Sequence, residues 1–342
     1  MSVVRIAITL LIGCLGATLT AFAQTTSIRP LTISEDGERI GFDDLGFSPQ
    51  LNRVIVPGAQ TGKLFLVDPG RLRMEAISGF SSQTGTGGDS GQGVTSADFR
   101  RGLIFAADRS EKTLDVVDPV SKEILAKTRL ASVPDYVRYV APTNEVWVTE
   151  PHASQIEIFS VPEQGALVPK HAATIKILNG PESLVSDDVR GLAYTNLWTD
   201  TTLAIDLRKR AVVANWKNGC HSSLGLALDS VRGFLLVGCE EGKLEVLSLK
   251  DGHHLSETIF GAGVDIIAYA PNFHHAYLPG ADSATMAVVA IGPDGKAAIL
   301  ATVPTVKGSH CVTSDDRGNA YICDPAKGQL LIFRDLPRAS SR

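Results

Sequence analysis

The stretch Ser223–Lys250, SLGLALDSVRGFLLVGCEEGKLEVLSLK, contains three short aliphatic runs separated by turn-forming residues. The runs are Leu224–Leu228, Phe234–Val237 and Leu244–Leu249, with Asp-Ser-Val-Arg-Gly and Glu-Glu-Gly between them. Aliphatic runs of about five residues bounded by such turns predict β-strands joined as hairpins. A strand pair cannot bury its apolar face alone, so this unit requires neighbours of its own kind.

The first turn of this unit recurs along the chain. The pattern Asp-x-x-Arg-Gly occurs at Asp98–Gly102, Asp187–Gly191 and Asp229–Gly233, and a shortened form occurs at Asp315–Gly318. Three further units keep the strand pattern with other turn residues, so seven repeats are present, and their third strands end near Asp68, Asp118, Ser160, Asp206, Ser248, Ile291 and Arg334. A repeat of roughly 40–45 residues with several strands is typical of a propeller blade. The sequence therefore predicts an all-β, seven-bladed β-propeller.

The repeat also predicts the domain organisation. We expect a signal peptide at 1–23, an N-terminal segment at 24–40 and a flexible tail at 336–342, with blades at 41–78, 94–131, 133–178, 180–217, 220–260, 263–304 and 308–335. The last blade has only three obvious strands, and the N-terminal segment contains a strand-like run, Ile28–Ile33. Because this run would remove two exposed edges by joining the last blade, we predict that it closes the ring. The long Gly79–Gly93 loop is either a mobile lid or an insertion without a role.

The N-terminal residues indicate export. Arg5 precedes the apolar run Ile6–Phe22, and an Ala-x-Ala site predicts cleavage after Ala23. A lipoprotein-like sequence ends at Cys14, but the chain stays apolar after it, which favours soluble export and leaves lipidation as the alternative. No other run approaches the ~20 apolar residues that span a bilayer. We expect a periplasmic or secreted monomer without a membrane span.

The charge of the chain argues against nucleic acid as a partner. The net charge is −5 and the sequence pI is about 5.9. No run of basic residues is longer than Arg208–Arg210, whereas a nucleic-acid surface needs a concentrated basic face.

Four cysteines remain after removal of the signal peptide. An even number of cysteines in an exported chain suggests disulfides. Cys311 and Cys323 lie symmetrically about Arg317 at the centre of a predicted hairpin turn, and Cys220 and Cys239 flank the equivalent hairpin. We therefore predict the pairs Cys311–Cys323 and Cys220–Cys239. Zinc is the competing interpretation, but the sequence contains no Cys-x-x-Cys spacing.

Polar side chains recur where the innermost strands begin, at one end of the predicted central channel. They are Asp43, Asp135, Glu182, His221, Asp265 and His310. In one interpretation these groups only satisfy channel water and exposed backbone. In the other, four of them bind a divalent cation such as calcium, magnesium, manganese or zinc, namely Glu182, His221, Asp265 and His310.

We predict structural positions for three further side chains. Trp198 and Trp216 are expected to be packing anchors between blades. His152 is expected in an outer loop, without a role.

Strand pairs with intervening turns carry a resemblance to a known family. VWVTEPHASQIEIFSV (Val146–Val161), LIFAADRSEKTLDVVDPVSKEI (Leu103–Ile124) and LFLVDP (Leu64–Pro69) resemble the YVTN-type, or YncE-like, seven-bladed propellers of exported bacterial proteins. The resemblance extends over about residues 28–335 and implies the fold, although no unit contains Tyr-Val-Thr-Asn itself. This architecture carries binding proteins, redox partners and hydrolases alike, so it implies no single function.

Three functions remain open at this point. The first is an exported propeller that binds an unknown small molecule or periplasmic protein at the channel mouth, without chemistry of its own. The second is a metal-dependent hydrolase or lactonase, which would resemble the gluconolactonase-type propellers and hold its cation on Glu182, Asp265 and His310. The third is a scaffold for protein assembly, without a pocket for a small molecule. They differ in whether the channel side chains converge.

Overall fold

The computed structural model describes residues 28–34, 36–82, 92–163 and 167–335. The predicted signal peptide with Cys14, residues 83–91 of the long loop and the predicted tail lie outside these ranges. The described chain forms seven antiparallel sheets of four strands each, with three single-turn 3-10 helices at Ala141–Thr143, Pro151–Ala153 and Pro325–Lys327. Within these ranges no helix has the length and apolar character that a bilayer span requires.

Blades one to six are each formed by four consecutive strands. Blade one contains β2 (Gly46–Ser48), β3 (Arg53–Pro57), β4 (Thr61–Val67) and β5 (Met74–Ser82); blade two contains β6 (Val94–Arg100), β7 (Leu103–Asp108), β8 (Thr113–Asp118) and β9 (Glu123–Arg129); blade three contains β10 (Val137–Val140), β11 (Glu145–Glu150), β12 (Gln155–Ser160) and β13 (Lys170–Lys176). Blade four contains β14 (Glu182–Asp187), β15 (Leu192–Asn196), β16 (Thr201–Asp206) and β17 (Ala211–Lys217); blade five contains β18 (Ser223–Asp229), β19 (Phe234–Cys239), β20 (Lys243–Ser248) and β21 (His254–Ile259); blade six contains β22 (Ala268–Ala270), β23 (His275–Gly280), β24 (Thr285–Ile291) and β25 (Ala297–Pro304).

Blade seven is assembled from both ends of the described chain. It contains β26 (Val312–Ser314), β27 (Asn319–Asp324) and β28 (Gln329–Arg334), and β1 (Ile28–Thr32) pairs antiparallel with β28 as its outermost strand. The first strands of neighbouring blades contact one another in an unbroken cycle from β2 through β6, β10, β14, β18, β22 and β26 back to β2. The predicted seven-bladed ring, closed by the N-terminal strand, is confirmed.

The burial pattern explains the apolar runs of the sequence. The second strand of blade five, Phe234–Cys239, is buried at every position because neighbouring blades cover both of its faces. The fourth strands, such as Ala211–Lys217, are largely exposed or half-buried. Trp216 packs against Tyr194 with a ring-centroid distance of 5.4 Å, and a Cβ atom added to Gly252 of blade five would lie 2.1 Å from its ring. Trp216 is therefore a packing anchor between blades, as expected.

The arginines of the repeated Asp-x-x-Arg-Gly turns join neighbouring blades. Arg190 Nη1 in blade four donates a 2.8 Å hydrogen bond to Ser230 O in blade five. Arg232 Nη1 in blade five donates a 2.8 Å hydrogen bond to Ile291 O in blade six. The arginines of blades two and seven make equivalent contacts with the following blade: Arg101 Nη1 to Asn144 Oδ1 (2.5 Å) and Arg317 Nη2 to Asn52 Oδ1 (3.3 Å).

The aspartate of the same turn makes a second link. Asp98 Oδ2 accepts from Tyr139 N of blade three at 2.8 Å. Asp229 Oδ2 accepts from the Tyr269 hydroxyl of blade six at 2.5 Å. The repeated turn is thus a contact between blades as well as a hairpin, which is a role that its sequence context did not predict.

Replacing Arg232 with methionine is expected to lower the free energy of unfolding by about 2–3 kcal/mol. The variant loses the bond to Ile291 O and leaves the buried Asp229 carboxyl without its cation. Urea unfolding followed by circular dichroism measures the change. The control, Arg208→Met, removes an exposed arginine from another hairpin and should change stability by less than about 0.5 kcal/mol. Equal effects of the two substitutions would contradict a role for Arg232 between blades.

Both predicted cysteine pairs are present as disulfides. Cys220 pairs with Cys239 within blade five, and Cys311 pairs with Cys323 within blade seven. Cys220 and Cys311 lie shortly before the innermost strands of their blades, and each is bonded to a cysteine in the second strand of the same blade. Two such pairs favour an oxidising compartment.

The double variant Cys311→Ser/Cys323→Ser is expected to lose about 2–4 kcal/mol of stability, because the bond closes a loop in the unfolded chain. The two cysteines are 12 residues apart in sequence. Urea unfolding of the wild type and the variant, both without reductant, measures the loss. Thiol titration of the unreduced, denatured wild type provides the control and should detect no free thiol from these pairs. Unchanged stability with an intact disulfide in the wild type would refute the prediction.

Candidate functional site

One end of the central channel opens into a cavity of about 510 Å³. In each antiparallel blade the start of the first strand and the end of the second strand lie at the same end, so both contribute to this mouth. The cavity is lined by Asp43, Arg109, Val133, Pro134, Asp135, Tyr136, Pro151, His152, Glu182, Trp198, Asp265 and His310. We call it the mouth cavity.

Five of the six predicted channel residues line the mouth cavity: Asp43, Asp135, Glu182, Asp265 and His310. The sixth, His221, is exposed and is not among the lining residues. Its backbone N–H donates a 2.8 Å hydrogen bond to Glu241 Oε1 in the turn between the second and third strands of its own blade. The structure therefore brings five of the predicted side chains together and places the imidazole of His221 elsewhere.

An arginine is the central cation of the cavity. Arg109 directly follows the second strand of blade two, and its Nη2 contacts Asp43 Oδ2 at 2.9 Å and forms a short ion pair with Asp135 Oδ1. Its Nε donates a 3.0 Å hydrogen bond to Pro134 O. Arg109 thus joins the segments that lead into the innermost strands of blades one and three.

Glu182 and Trp198 form the wall contributed by blade four. The Trp198 indole N–H donates a 2.7 Å hydrogen bond to Glu182 Oε2. Glu182 begins its strand, and the next residue, Ser183, has a φ of +53°, a region that non-glycine residues rarely occupy. Ser183 Oγ donates a 2.7 Å hydrogen bond to Leu224 O of blade five, which holds this turn of the backbone in place. Trp198 is 45% exposed, so the expectation that it packs between blades is wrong.

His310 contacts carbonyl oxygens through both of its ring nitrogens. Nδ1 lies 2.8 Å from Gly308 O, and Nε2 lies 3.0 Å from Phe42 O, across the junction between blades seven and one. A carbonyl oxygen only accepts hydrogen bonds, so a ring nitrogen can donate to it only when that nitrogen carries a proton. Both ring nitrogens thus already face carbonyl oxygens, whereas a metal ligand needs a ring nitrogen directed at the metal.

Burial and mutual repulsion determine the electrostatics of the mouth cavity. Burial raises the pKa of Asp265 to about 6, and His310 opposes this shift while Asp135 reinforces it. Burial also raises the pKa of Asp43 and that of Asp135, although Arg109 opposes both shifts. Burial raises the pKa of Glu182 well above its usual range, and the charges of Asp135 and Asp265 raise it further. Four carboxyl groups are thus held where their charge is poorly solvated.

The predicted metal-ligand set is not assembled at coordination distance. Among the described residues, the groups of three ligand atoms within 4.8 Å of one another contain neither Glu182, His221 nor Asp265. His310 belongs to one such group only through Cys311 and Cys323, which are joined in a disulfide and are not thiolates. The arrangement of side chains therefore gives no support to a cation on Glu182, His221, Asp265 and His310.

Seven lining residues escaped sequence analysis, and three of them are large side chains just after second strands: Arg109, His152 and Trp198. Each follows the second strand of its blade by one or two residues, so the three occupy equivalent turns of blades two, three and four. The expectation that His152 lies in an outer loop is wrong, because the 3-10 turn Pro151–Ala153 reaches the cavity. Aligning the ends of the second strands, in addition to the starts of the first, would have identified all three.

Tyr136 separates the mouth cavity from a second, smaller cavity deeper in the channel. Tyr136 lines both, and the deeper cavity has a volume of about 210 Å³. Its charged side chains are already paired, since Arg138 contacts both oxygens of Asp44, with Nη1–Oδ2 at 2.6 Å and Nη2–Oδ1 at 3.0 Å. The unbalanced charge of the channel is therefore in the mouth cavity.

Comparison with known proteins supports the fold. No protein-family model matches this chain, and no curated protein matches it. Among solved structures, a chain of the mitotic checkpoint complex is similar with a TM-score of 0.71 and 13% identity, over 95% of this chain and 99% of that one. The RRP9 WD40 repeats are similar with a TM-score of 0.72 and 12% identity, over 91% of this chain and 98% of that one. Hydrazine synthase of Kuenenia stuttgartiensis is similar with a TM-score of 0.69 and 12% identity, over 89% of this chain and 97% of that one. At such identities the likeness shows the β-propeller fold alone.

Proposed function

We propose that this protein is an exported propeller of the YVTN type that binds a ligand or a protein partner at its channel mouth, without chemistry of its own. The observation that carries the proposal is the convergence of five polar side chains from five blades on one cavity of about 510 Å³. Pockets that bind small organic molecules usually have a volume of about 300–1,000 Å³ and a few converging polar groups.

The contents of the cavity favour binding over catalysis. Its described lining contains no serine, threonine or cysteine that could act as a nucleophile beside a base. The Arg109 guanidinium is held by two carboxylates, and both ring nitrogens of His310 contact carbonyl oxygens. Groups fixed in this way shape a rigid recognition surface.

A direct test measures binding of three aromatic probes that differ mainly in charge: phenethylamine, 2-phenylethanol and 3-phenylpropionate. The wild type should bind at least one of them, as detected by calorimetry and by a change in tryptophan fluorescence. Trp198→Ala should weaken this binding by at least about tenfold, which corresponds to about 1.4 kcal/mol.

The matched control is Trp216→Phe, because Trp216 packs between blades four and five and does not line the cavity. Its affinity for the probe should equal that of the wild type. Absence of binding for all three probes, or binding that is unchanged in Trp198→Ala, would overturn the proposal of a binding site at the mouth.

A further inference from the structure

The mouth cavity contains more carboxyl groups than cations. Its described lining has four carboxyl groups, on Asp43, Asp135, Glu182 and Asp265, and one side chain that is always a cation, Arg109. Arg109 is shared between Asp43 and Asp135. The carboxyl groups of Glu182 and Asp265 are therefore the two that form no ion pair with Arg109.

The unpaired carboxyl groups lie on blades four and six. Glu182 is nine-tenths buried, and its described partner is the neutral indole N–H of Trp198. The Asp265 carboxyl forms no hydrogen bond or ion pair within the described part of the chain. The charged group there that affects it most is His310. Burying the Glu182 carboxylate without a cation is costly, and a positively charged ligand would remove that cost.

The walls of the cavity fit an organic cation better than a metal ion. The hydrogen bond to Glu182 fixes the Trp198 indole beside the acidic groups, and the ring remains 45% exposed. Tyr136, Val133 and Pro134 add aromatic and apolar surface. Aromatic faces next to carboxylates bind ammonium groups through cation–π attraction. A bare metal ion would leave most of a cavity of about 510 Å³ unfilled.

We infer that the mouth cavity binds the ammonium group of an organic amine, between the carboxyl groups of Glu182 and Asp265 and the ring of Trp198. This inference rests on the proposed function and names the class of its ligand. An amine with an aromatic or aliphatic body would place its charge on the two carboxyl groups and its apolar part against the tryptophan ring.

The principal experiment compares the three probes at about pH 7.5, which is above the pKa of about 6 of Asp265. Phenethylamine should bind at least about tenfold more tightly than 2-phenylethanol, and 3-phenylpropionate should bind most weakly. Asp265→Asn and Glu182→Gln should each weaken phenethylamine binding by at least about tenfold while leaving 2-phenylethanol unaffected. The control, Asp251→Asn, changes an exposed turn aspartate remote from the cavity and should leave all affinities unchanged.

The affinity for phenethylamine should also fall as the pH is lowered from about 7.5 to about 5, since carboxyl protonation removes the negative charge while the amine stays protonated. The pKa of Asp265 near 6 places the midpoint of this loss. The charged and titratable groups that face Asp265 or line the cavity with it are Asp43, Arg109, Asp135, Tyr136, His152, Glu182, Glu240 and His310. In Asp265→Asn the pH dependence should be reduced.

A peptide arm distinguishes the source of the ammonium group. A blocked Ala-Lys-Ala peptide presents the same group on a polypeptide chain, and tighter binding of the peptide than of phenethylamine would identify a protein partner as the source. The reverse order would identify a small amine.

The remaining outcomes separate this inference from the proposed function. Preferential binding of 2-phenylethanol or 3-phenylpropionate, lost in Trp198→Ala, would overturn the amine inference and leave the binding site standing. Stoichiometric calcium, magnesium, manganese or zinc that displaces phenethylamine and is lost in Asp265→Asn would also overturn it in favour of a metal site. Failure of all three probes to bind would overturn both.

Discussion

Replacing Ile33 with aspartate is expected to lower the free energy of unfolding by about 5 kcal/mol, the largest effect that we predict for a single substitution. Ile33 is 1% exposed and follows the closing strand β1 directly. Its N–H donates a 2.9 Å hydrogen bond to Gly328 O of blade seven, and its side chain belongs to the core cluster that contains Phe42 and Cys311. The substitution removes apolar packing at the ring closure and buries a carboxyl group without a partner.

Urea unfolding measures the loss, and hydrogen exchange shows where it acts. The amides of β28, which pairs with β1, should exchange faster in the variant than those of blade four on the other side of the ring. The control is Arg29→Asp, which adds the same carboxyl group at an exposed position four residues earlier, within β1. It should change stability by less than about 0.5 kcal/mol. Comparable losses in both variants would show that the ring closure does not depend on the burial of Ile33.

Replacing Arg109 with methionine is expected to cost about 3–5 kcal/mol at neutral pH, because a buried ion pair that loses one partner leaves uncompensated charge. Arg109 is the cation shared by Asp43 and Asp135, and the side chains of all three are largely buried. The methionine side chain keeps most of the volume of the arginine stem, so the loss reports on charge rather than on an empty space.

The defect should shrink as the pH falls. Burial already raises the pKa of Asp43 and Asp135 in the folded protein, and removal of Arg109 raises both further. A carboxyl group with a raised pKa takes up a proton in the folded state at a pH where the unfolded chain, with a pKa of about 3.9, does not. The variant should therefore recover stability relative to the wild type between about pH 7.5 and pH 5.

Urea unfolding at both pH values checks this prediction, with Lys217→Met as the control. Lys217 pairs with Asp200 on the surface, so its loss should be worth less than about 1 kcal/mol and should not depend on pH in this way. A loss in Arg109→Met that is the same at both pH values would show that Arg109 acts through packing alone.

Arg109 and His310 explain how the mouth cavity can be both acidic and rigid. Arg109 joins the lead-in segments of blades one and three, and His310 joins blade seven to the carbonyl of Phe42 in blade one. The groups that neutralise part of the charge are therefore also structural links. The carboxyl groups of Glu182 and Asp265 form no ion pair with Arg109, and for this reason we infer that they contact the ligand.

Much of the fold was predictable because it depends on local patterns. The strand repeat and the cysteine pairs reflect pairing between segments that are close in sequence. The strand-like run Ile28–Ile33 was recognisable because the last blade lacked a fourth strand. The starts of the innermost strands predicted five of the residues that line the mouth cavity. His221 also precedes its strand by two residues, as Asp135 and His310 do, but Glu241 holds the backbone of His221 and Ser222, and the His221 side chain is exposed.

Sequence analysis missed the direction of side chains in turns and the contacts between blades. Arg109, His152 and Trp198 follow second strands, where a turn residue has no local signal of its direction. The turn arginines Arg190 and Arg232 were recognised as a repeat, but their partners lie 40 and 59 residues away in the next blade.

The sequence by itself determined the number of blades, the closing strand, the cysteine pairs and the end of the channel where acidic groups gather, because strand and turn patterns act within one repeat. Only the tertiary structure decided which carboxyl groups are neutralised and which are not. That distinction depends on the positions of the Arg109 guanidinium, the His310 ring and the Trp198 indole relative to neighbouring blades. Charged groups that are far apart in the sequence come close together only when the ring closes.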